Sequence, residues 1–496
     1  MLGFLLCGCG LAEWAENGFK VGPEYEQPEA EVASRWLDYE DPRIKSEELD
    51  LARWWRVFND PILDELVENV FQQNLTLRAA LERIEGSRAR RDIAVGYLFP
   101  QQQEATGSFT RSRLSKEAAV PPFDVRYNQW DVGVGVGWEL DIWGKYRRGI
   151  EAADAELEAS VAGYDDALVL LLSEVASNYV LYRTLQERLA IVHHNVEIQQ
   201  ASYELAQNRY QAGAVTERDV QEAKQNLEQT RSRIPDLEAG LRQASNALCL
   251  LQGSPPRDLR DFLGQEGKIP VVTPEVTVGI PADLLRRRPD VRRAERLVAA
   301  QSALIGVAEA DLYPHLSIVG TLGLMAEKIA DLFTEDAVAG AIGPAFSWDL
   351  FNYGRIENNV RAQESAFREL ALAYREAVLQ AAKEAEDAIV VFLKAHDNVR
   401  YLEESTRAAA RTVQITTDQY KQGAVDFTPL FLFQATLADQ EDQLAAARSS
   451  IALNLIGLYR ALGGGWERRL ENSVEQPSAS STAASAVETK ATRAED

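Results

Sequence analysis

The chain repeats itself, and that constrains its fold more than any other feature. Arg209-Tyr-Gln-Ala-Gly-Ala-Val215 returns as Gln419-Tyr-Lys-Gln-Gly-Ala-Val425, which sets Tyr210 and Tyr420 210 positions apart. The same offset carries Trp138 onto Trp348 and Leu251-Gln-Gly253 onto Ala461-Leu-Gly463, while Leu98-Phe-Pro100 matches Leu312-Tyr-Pro314 at an offset of 214. Two copies of one unit therefore fill the chain, and any architecture it adopts holds that unit twice.

Inside each copy the apolar residues follow a 4,3,4,3 spacing. In the first copy it runs from Leu157, Val161, Tyr164 and Leu168 to Tyr203, Ala206 and Tyr210; in the second, from Phe367, Ala371, Tyr374 and Val378 to Val413, Thr416 and Tyr420. A period of 3.5 marks helices that wind around neighbours. An unbroken helix over residues 149–212 is roughly 95 Å long, beyond the reach of a globular domain. The period resumes after Gly213 at Val220, Ala223 and Leu227, and in the second copy from Leu430 to Ala461, so each copy predicts an antiparallel helical hairpin. Gly213 and Gly423 mark the tips, where a left-handed residue ends a helix. Pro235 predicts a kink or a junction in the first return helix.

Upstream of the first long helix the period changes to two. Trp130, Val132, Val134, Val136, Trp138, Leu140 and Ile142 alternate with polar residues and glycines, as in a strand with one apolar face. The second copy keeps the phase with Val338, Ile342, Phe346, Trp348 and Leu350, despite Pro344. Partner strands are expected at residues 315–324 and 104–113. Trp130 and Trp138 are about 26 Å apart along a strand and about 20 Å along the normal of a tilted one, near the spacing of two aromatic girdles on a membrane barrel. From this segment alone a soluble strand and a membrane strand are both open. If the strands span a membrane, four cannot close a barrel, and open edges are not tolerated in lipid. Three chains would supply twelve strands; two would supply eight, whose interior side chains fill, so a conducting pore favours three.

Composition removes other classes. The formal charge of −24, from 52 Lys and Arg against 76 Asp and Glu, argues against a nucleic-acid surface. With 4 His and 3 Cys, neither a metal cluster nor a disulfide framework is expected. No run approaches the roughly 20 apolar residues of a spanning helix. Gly133-Val-Gly-Val-Gly137 lacks the Lys-Ser/Thr ending of a phosphate loop. No catalytic constellation stands out, so no enzyme activity and no cofactor are expected. At the start, Leu6-Cys7-Gly8-Cys9 reads as a lipobox with Cys9 as the acylated residue, or as chance hydrophobicity, since the basic n-region is missing.

Four motifs then converge: Val21-Gly-Pro-Glu-Tyr-Glu-Gln-Pro28, Trp54-Trp-Arg-Val-Phe-Asn-Asp-Pro61, Leu285-Arg-Arg-Arg-Pro-Asp-Val291 and Leu458-Tyr-Arg-Ala-Leu-Gly-Gly-Gly-Trp466. Together with the duplication, over about residues 20–466, they resemble the outer-membrane efflux factors of the TolC family, in its NodT/OprM-like lipoprotein branch. The resemblance implies a mainly α protein with a membrane β-barrel portion. That is a trimer with a twelve-stranded barrel, four strands per chain, continuous with a long α-helical coiled barrel and an equatorial domain. It supports acylation of Cys9. The expected division is a lipoprotein signal end over 1–9, an N-terminal segment and first repeat over 10–285, a second repeat over 286–466 and a disordered tail over 467–496.

The resemblance also implies partners and a site. A periplasmic adaptor would meet the tips at Tyr210, Gly213, Ala214, Val215, Tyr420, Gly423, Ala424 and Val425, and an inner-membrane, proton-coupled RND-type pump would drive transport. The barrel would meet outer-membrane lipid, with Trp130, Trp138 and Trp348 in its girdles. Where the family carries an acid early in the second return helix, this chain has Leu432, which predicts a hydrophobic constriction at Leu432 and Phe433 with Asp219 and Asp426 as the nearest acids. Phe431 or Phe433 packing between helices is the other reading. The expected function is a passive exit duct of a tripartite system for small molecules such as drugs, toxic compounds or metal ions, with an acidic lumen favouring cations. The alternatives are the duct of a type I protein secretion system and, more remotely, a soluble coiled-coil scaffold.

Overall fold

The structure, a computed structural model, describes residues 14–45, 51–115, 117, 126–264, 267–278 and 285–470. In chain order the elements begin with β1 (Ile44–Lys45), α1 (Pro61–Gln73), α2 (Leu75–Gly96), β2 (Gln102–Arg113) and β3 (Arg126–Glu139). The first long hairpin follows as α3 (Lys145–Gln211), α4 (Glu217–Arg231) and α5 (Arg233–Leu251). After the short α6 (Arg260–Leu263) and β4 (Val276–Thr277) come α7 (Pro289–Ala310), β5 (His315–Ala326), β6 (Val338–Ser347), α8 (Arg355–Lys421) and α9 (Phe427–Ala461). The order helix, two strands, long helix, return helix occurs twice, as the repeat requires.

The long helices α3 and α8 are each 67 residues, about 100 Å at the usual helical rise. Each follows a left-handed glycine, Gly144 at φ 79° and Gly354 at φ 78°. Each also ends on one, Gly213 at φ 72° and Gly423 at φ 76°. At the tips Ala214 N–H donates to Arg209 O at 2.8 Å and Gly213 N–H to Tyr210 O at 2.9 Å; Ala424 and Gly423 repeat both bonds on Gln419 and Tyr420. This Schellman pattern satisfies the carbonyls that a helix end leaves unpaired. The return path differs between copies. Pro235 has no N–H to give Arg231 and its ring crowds that carbonyl, so α4 stops at Arg231 and α5 starts at Arg233. In copy two Pro429 falls in the first turn of α9, where no such bond is due, and α9 runs unbroken for 35 residues.

The chain divides into two compact units. The first holds the residues up to Ala30, Glu82–Val161 and Arg293–Glu376; the second holds Glu31–Leu81, Ala162–Arg292 and the chain from Ala377 on. The units cut across the repeats because α3 and α8 each give residues to both.

In the first unit, four strands form an antiparallel sheet in the order β2-β3-β5-β6. Ala155, Ala299 and Ala300 pack beneath Tyr25, small residues that let α3 and α7 come close. The Val21-Gly-Pro motif lies on this contact. Arg148, 2% exposed, donates to the Val21 carbonyl at 3.0 Å and the Gly22 carbonyl at 3.0 Å. A Cβ on Gly22, at φ 85°, would stand 2.4 Å from Gly306 Cα.

The second unit assembles the other three motifs. Trp54 stacks on Tyr459 at 5.3 Å between ring centroids. Buried Arg288 donates to the Ala461 carbonyl at 2.8 Å and pairs with Asp290 and Glu384, each at 2.7 Å. These arginines and tryptophans tie helices together. The expected tail at 467–496 needs correction at its start, because Glu467–Leu470 is held: Arg469 pairs with fully buried Asp165 at 2.6 Å, and Arg468 with Glu68. Burial raises the Asp165 pKa despite the opposing pull of Arg469 and Arg292. Residues 471–496, and Cys9 with its lipobox, lie outside the described residues.

Candidate functional site

The sheet has two chemically distinct faces. Its register sets Phe109 opposite Trp130, which in turn faces Ala326; Val132 opposite Leu324, which in turn faces Val338; and Trp138 opposite Ile318, which faces Pro344. Residues opposite one another share a face, so the alternation of β3 extends across the sheet as a mainly apolar face, with Gln103, Arg111 and Asn128 among the polar residues on it, at its β2 side. Val132, Val134, Val136, Leu322, Ile342 and Phe346 on it are exposed. The other face carries Glu104, Thr106, Gly133, Gly135, Gly137, Gly323 and Ala341. Gly133 and Gly323 are paired there, and a Cβ on Gly323 would lie 2.8 Å from the Val132 carbonyl, so the strand backbones approach as only glycine permits. Within one chain Pro344 stands on β6, which has a strand neighbour on one side only.

The three tryptophans proposed for the girdles fall at two levels. Trp130 packs on Phe109 at 4.4 Å between centroids, one end of the strand pair. Trp138, near the C-terminal end of β3, donates its indole N–H to the Leu98 carbonyl at 3.1 Å. Trp348, just past β6, donates to the Leu312 carbonyl at 3.0 Å. These two bonds are one contact made twice, since Leu98 and Leu312 are repeat equivalents.

At the tips the structure brings together residues from both copies. Ala206, Val220, Ala223, Tyr420, Phe427 and Leu430 form a buried cluster. Arg209, which sequence reasoning missed, lays its guanidinium 4.7 Å from the Tyr420 ring centroid and donates to the Tyr420 carbonyl. Nothing in a sequence with many surface arginines singles it out. Gly213, Ala214, Gly423 and Ala424 are exposed, Val215 and Val425 half-buried, and Tyr210 is 46% exposed.

Two expected site residues are corrected here. Tyr420 is fully buried, its ring filling the space between α3, α4 and α9, so it offers no side chain to an adaptor. Asp219 is 4% exposed and accepts a hydrogen bond from Thr216 Oγ1 at 3.1 Å; it serves the first turn of α4 and faces no open lumen. Asp426 instead lines an open hollow of about 520 Å³ with Gly423, Thr428, Pro429, Leu432 and Phe433. Leu432 and Phe433 are exposed there, whereas Phe431 packs against the tip cluster.

Among the described residues no helix is long and apolar enough to cross a membrane, and no group of His, Cys, Asp and Glu could hold a metal ion. Among the described residues, the exposed apolar face suited to lipid is that of the sheet.

An apolar-faced sheet joined to long helical hairpins is the build of an outer-membrane channel, and comparison with known proteins agrees. The family model described as "Outer membrane efflux protein" matches residues 66–254 and 280–464. Nodulation protein T of Rhizobium leguminosarum bv. trifolii is 30% identical over 91% of this chain and 95% of its own length. The pyoverdine export outer membrane protein OpmQ of Pseudomonas aeruginosa is 28% identical over 85% of this chain and 89% of its own. A solved structure of the outer-membrane channel OprN superposes with a TM-score of 0.85 at 31% identity, over 90% of this chain and 99% of that one. The chain belongs to the outer membrane efflux protein family. Its fold is that of these mainly α channels with a membrane β-barrel portion, its place is the outer membrane with an extension into the periplasm, and its work is efflux.

Proposed function

We propose that three copies of this chain close one twelve-stranded barrel, and that the assembly is a passive exit duct for small molecules. The observation that carries this is the four-stranded sheet with one mainly apolar face and two open edges, β2 and β6. In lipid each unpaired backbone group costs several kcal/mol, so both edges must pair with further strands. Cargo of small size is supported by the relative whose name records pyoverdine export.

The duct has no chemistry of its own in this reading. A periplasmic adaptor docks on the exposed tip residues Tyr210, Gly213, Ala214, Val215, Gly423, Ala424 and Val425, and an RND-type pump in the inner membrane supplies the work. Leu432 and Phe433 narrow the pore beside Asp426. Cys9 carries the lipid anchor; shortly after it, Trp14 donates its indole N–H to the Ile142 carbonyl at 3.1 Å, between the end of β3 and the start of α3. That holds the following chain beside the membrane end of the sheet.

The test is made on the full-length protein in its own host. Extraction from the outer membrane as a detergent-solubilised trimer, with a deletion strain retaining an exported small molecule, is the expected result. A water-soluble monomer or dimer overturns it.

A further inference from the structure

We propose that Tyr353 is a subunit-joining residue: where β6 meets β2 of the next copy in the shared barrel, its ring stacks on that copy's Phe99. This rests on the shared-barrel reading above and adds the residues that make the joint.

The chain already makes the equivalent contact once. Trp143, at the junction of β3 and α3, stacks on Tyr313 of the second copy at 4.5 Å between centroids with the rings 22° from parallel. Its indole N–H donates to the Pro314 carbonyl at 2.8 Å. Trp143 thus joins the first copy to the second, alongside the β3–β5 ladder.

Shifting Trp143 by 210 positions gives Tyr353, and shifting Tyr313 back by 214 gives Phe99. The two junctions share the tryptophan bond before them and the left-handed glycine after them. Trp138 bonds Leu98 at 3.1 Å as Trp348 bonds Leu312 at 3.0 Å. Gly144 and Gly354, at φ 79° and 78°, then start helices of equal length.

What differs is the partner. Trp143 has a second copy beside it. Tyr353 follows β6, an edge strand, and stands 98% exposed, while Phe99 precedes β2, the other edge strand, at 63% exposed. One half of the joint ends one edge of the sheet and the other half ends the opposite edge. A head-to-tail interface of this kind closes a ring when the rotation between copies is right.

The Tyr353 backbone differs from that of Trp143. It is held in the left-handed region at φ 52°, with Asn352 Oδ1 accepting from Gly354 N–H at 3.0 Å. A bulky residue in that region is uncommon and is sustained by its surroundings. Stacking on the partner's Phe99 supplies a contact that compensates it.

The experiment places a benzophenone amino acid at position 353 of the full-length protein, co-expresses it with a differently tagged second version, and maps the photo-cross-links in the outer membrane. The expected result is a covalent link between chains that falls on residues 97–103 of the other copy, reduced several-fold by Phe99→Ala. A trimer whose links fall on lipid, on the same chain or on another segment overturns the contact while leaving the shared barrel standing. A monomer in detergent overturns both.

Discussion

The guanidinium of Arg209 lies over the ring of Tyr420, 4.7 Å from its centroid, and donates to the Tyr420 backbone carbonyl. One residue from the tip of the first hairpin thereby clamps the tip of the second. The stack and the charged hydrogen bond each act on the last turn of α8, where the carbonyls of a helix end attract a cation.

Arg209→Ala is expected to loosen the joined tips by roughly 1–3 kcal/mol, the range for a partly buried cation–π contact with a charged hydrogen bond. Hydrogen exchange over residues 205–216 and 417–427 should rise together. Arg209→Lys keeps the charge but loses the planar stack and should restore only part of the protection. Exchange rising in one tip alone would contradict the clamp.

Phe433→Ala removes a large exposed ring from the hollow that Asp426 also lines. Single-channel conductance in a planar bilayer should increase, with Leu432→Ala acting in the same direction. Unchanged conductance in both variants would place the narrowest point elsewhere.

Gly22→Ala puts a Cβ 2.4 Å from Gly306 Cα and forces alanine to φ 85°. Neither backbone has a flexible end to move aside. A loss of roughly 2–4 kcal/mol is expected, the sum of overpacking and a left-handed alanine. Thermal unfolding of the purified protein reads it. Gly86→Ala, inside α2 where an added Cβ meets nothing within 4 Å, is the control and should hold or slightly raise the midpoint, since alanine favours a helix interior over glycine.

Asp41 gives a pH dependence of known sign. The hydrogen-bonded Arg43 guanidinium holds its carboxyl down to about 2 from an ordinary 3.8. A lowered folded pKa means that the contribution is complete above about 3.8 and is lost as pH falls toward 2. Arg43 also reaches the Leu393 carbonyl and Asp397, both at 3.2 Å, so this turn is pinned to α8. Limited proteolysis near residues 36–45 should accelerate only below about pH 4. Asp41→Asn should cleave faster at neutral pH and lose that acid-dependent step.

Much of this molecule is written in short-range patterns. The 3.5-residue spacing, the alternation around Trp130–Trp138, the tip glycines and the Pro235 break each follow from contacts within a few residues, and the offset of 210 shows that they occur twice. The four motifs placed the family, although Trp54, Arg288 and Tyr459 turned out to be internal ties. What no local pattern separates is which of two equivalent residues is covered. Tyr210 and Tyr420 hold the same place in the same repeat, yet one is 46% exposed and the other fully buried beneath Arg209. Asp219 looked like a pore acid until its burial and its bond from Thr216 were visible. Sequence alone determined the elements, because their causes are periodic and near. Only the tertiary structure decided which faces are covered, because burial depends on which distant helix arrives beside a residue, and that distinguishes two copies that the chain spells almost alike.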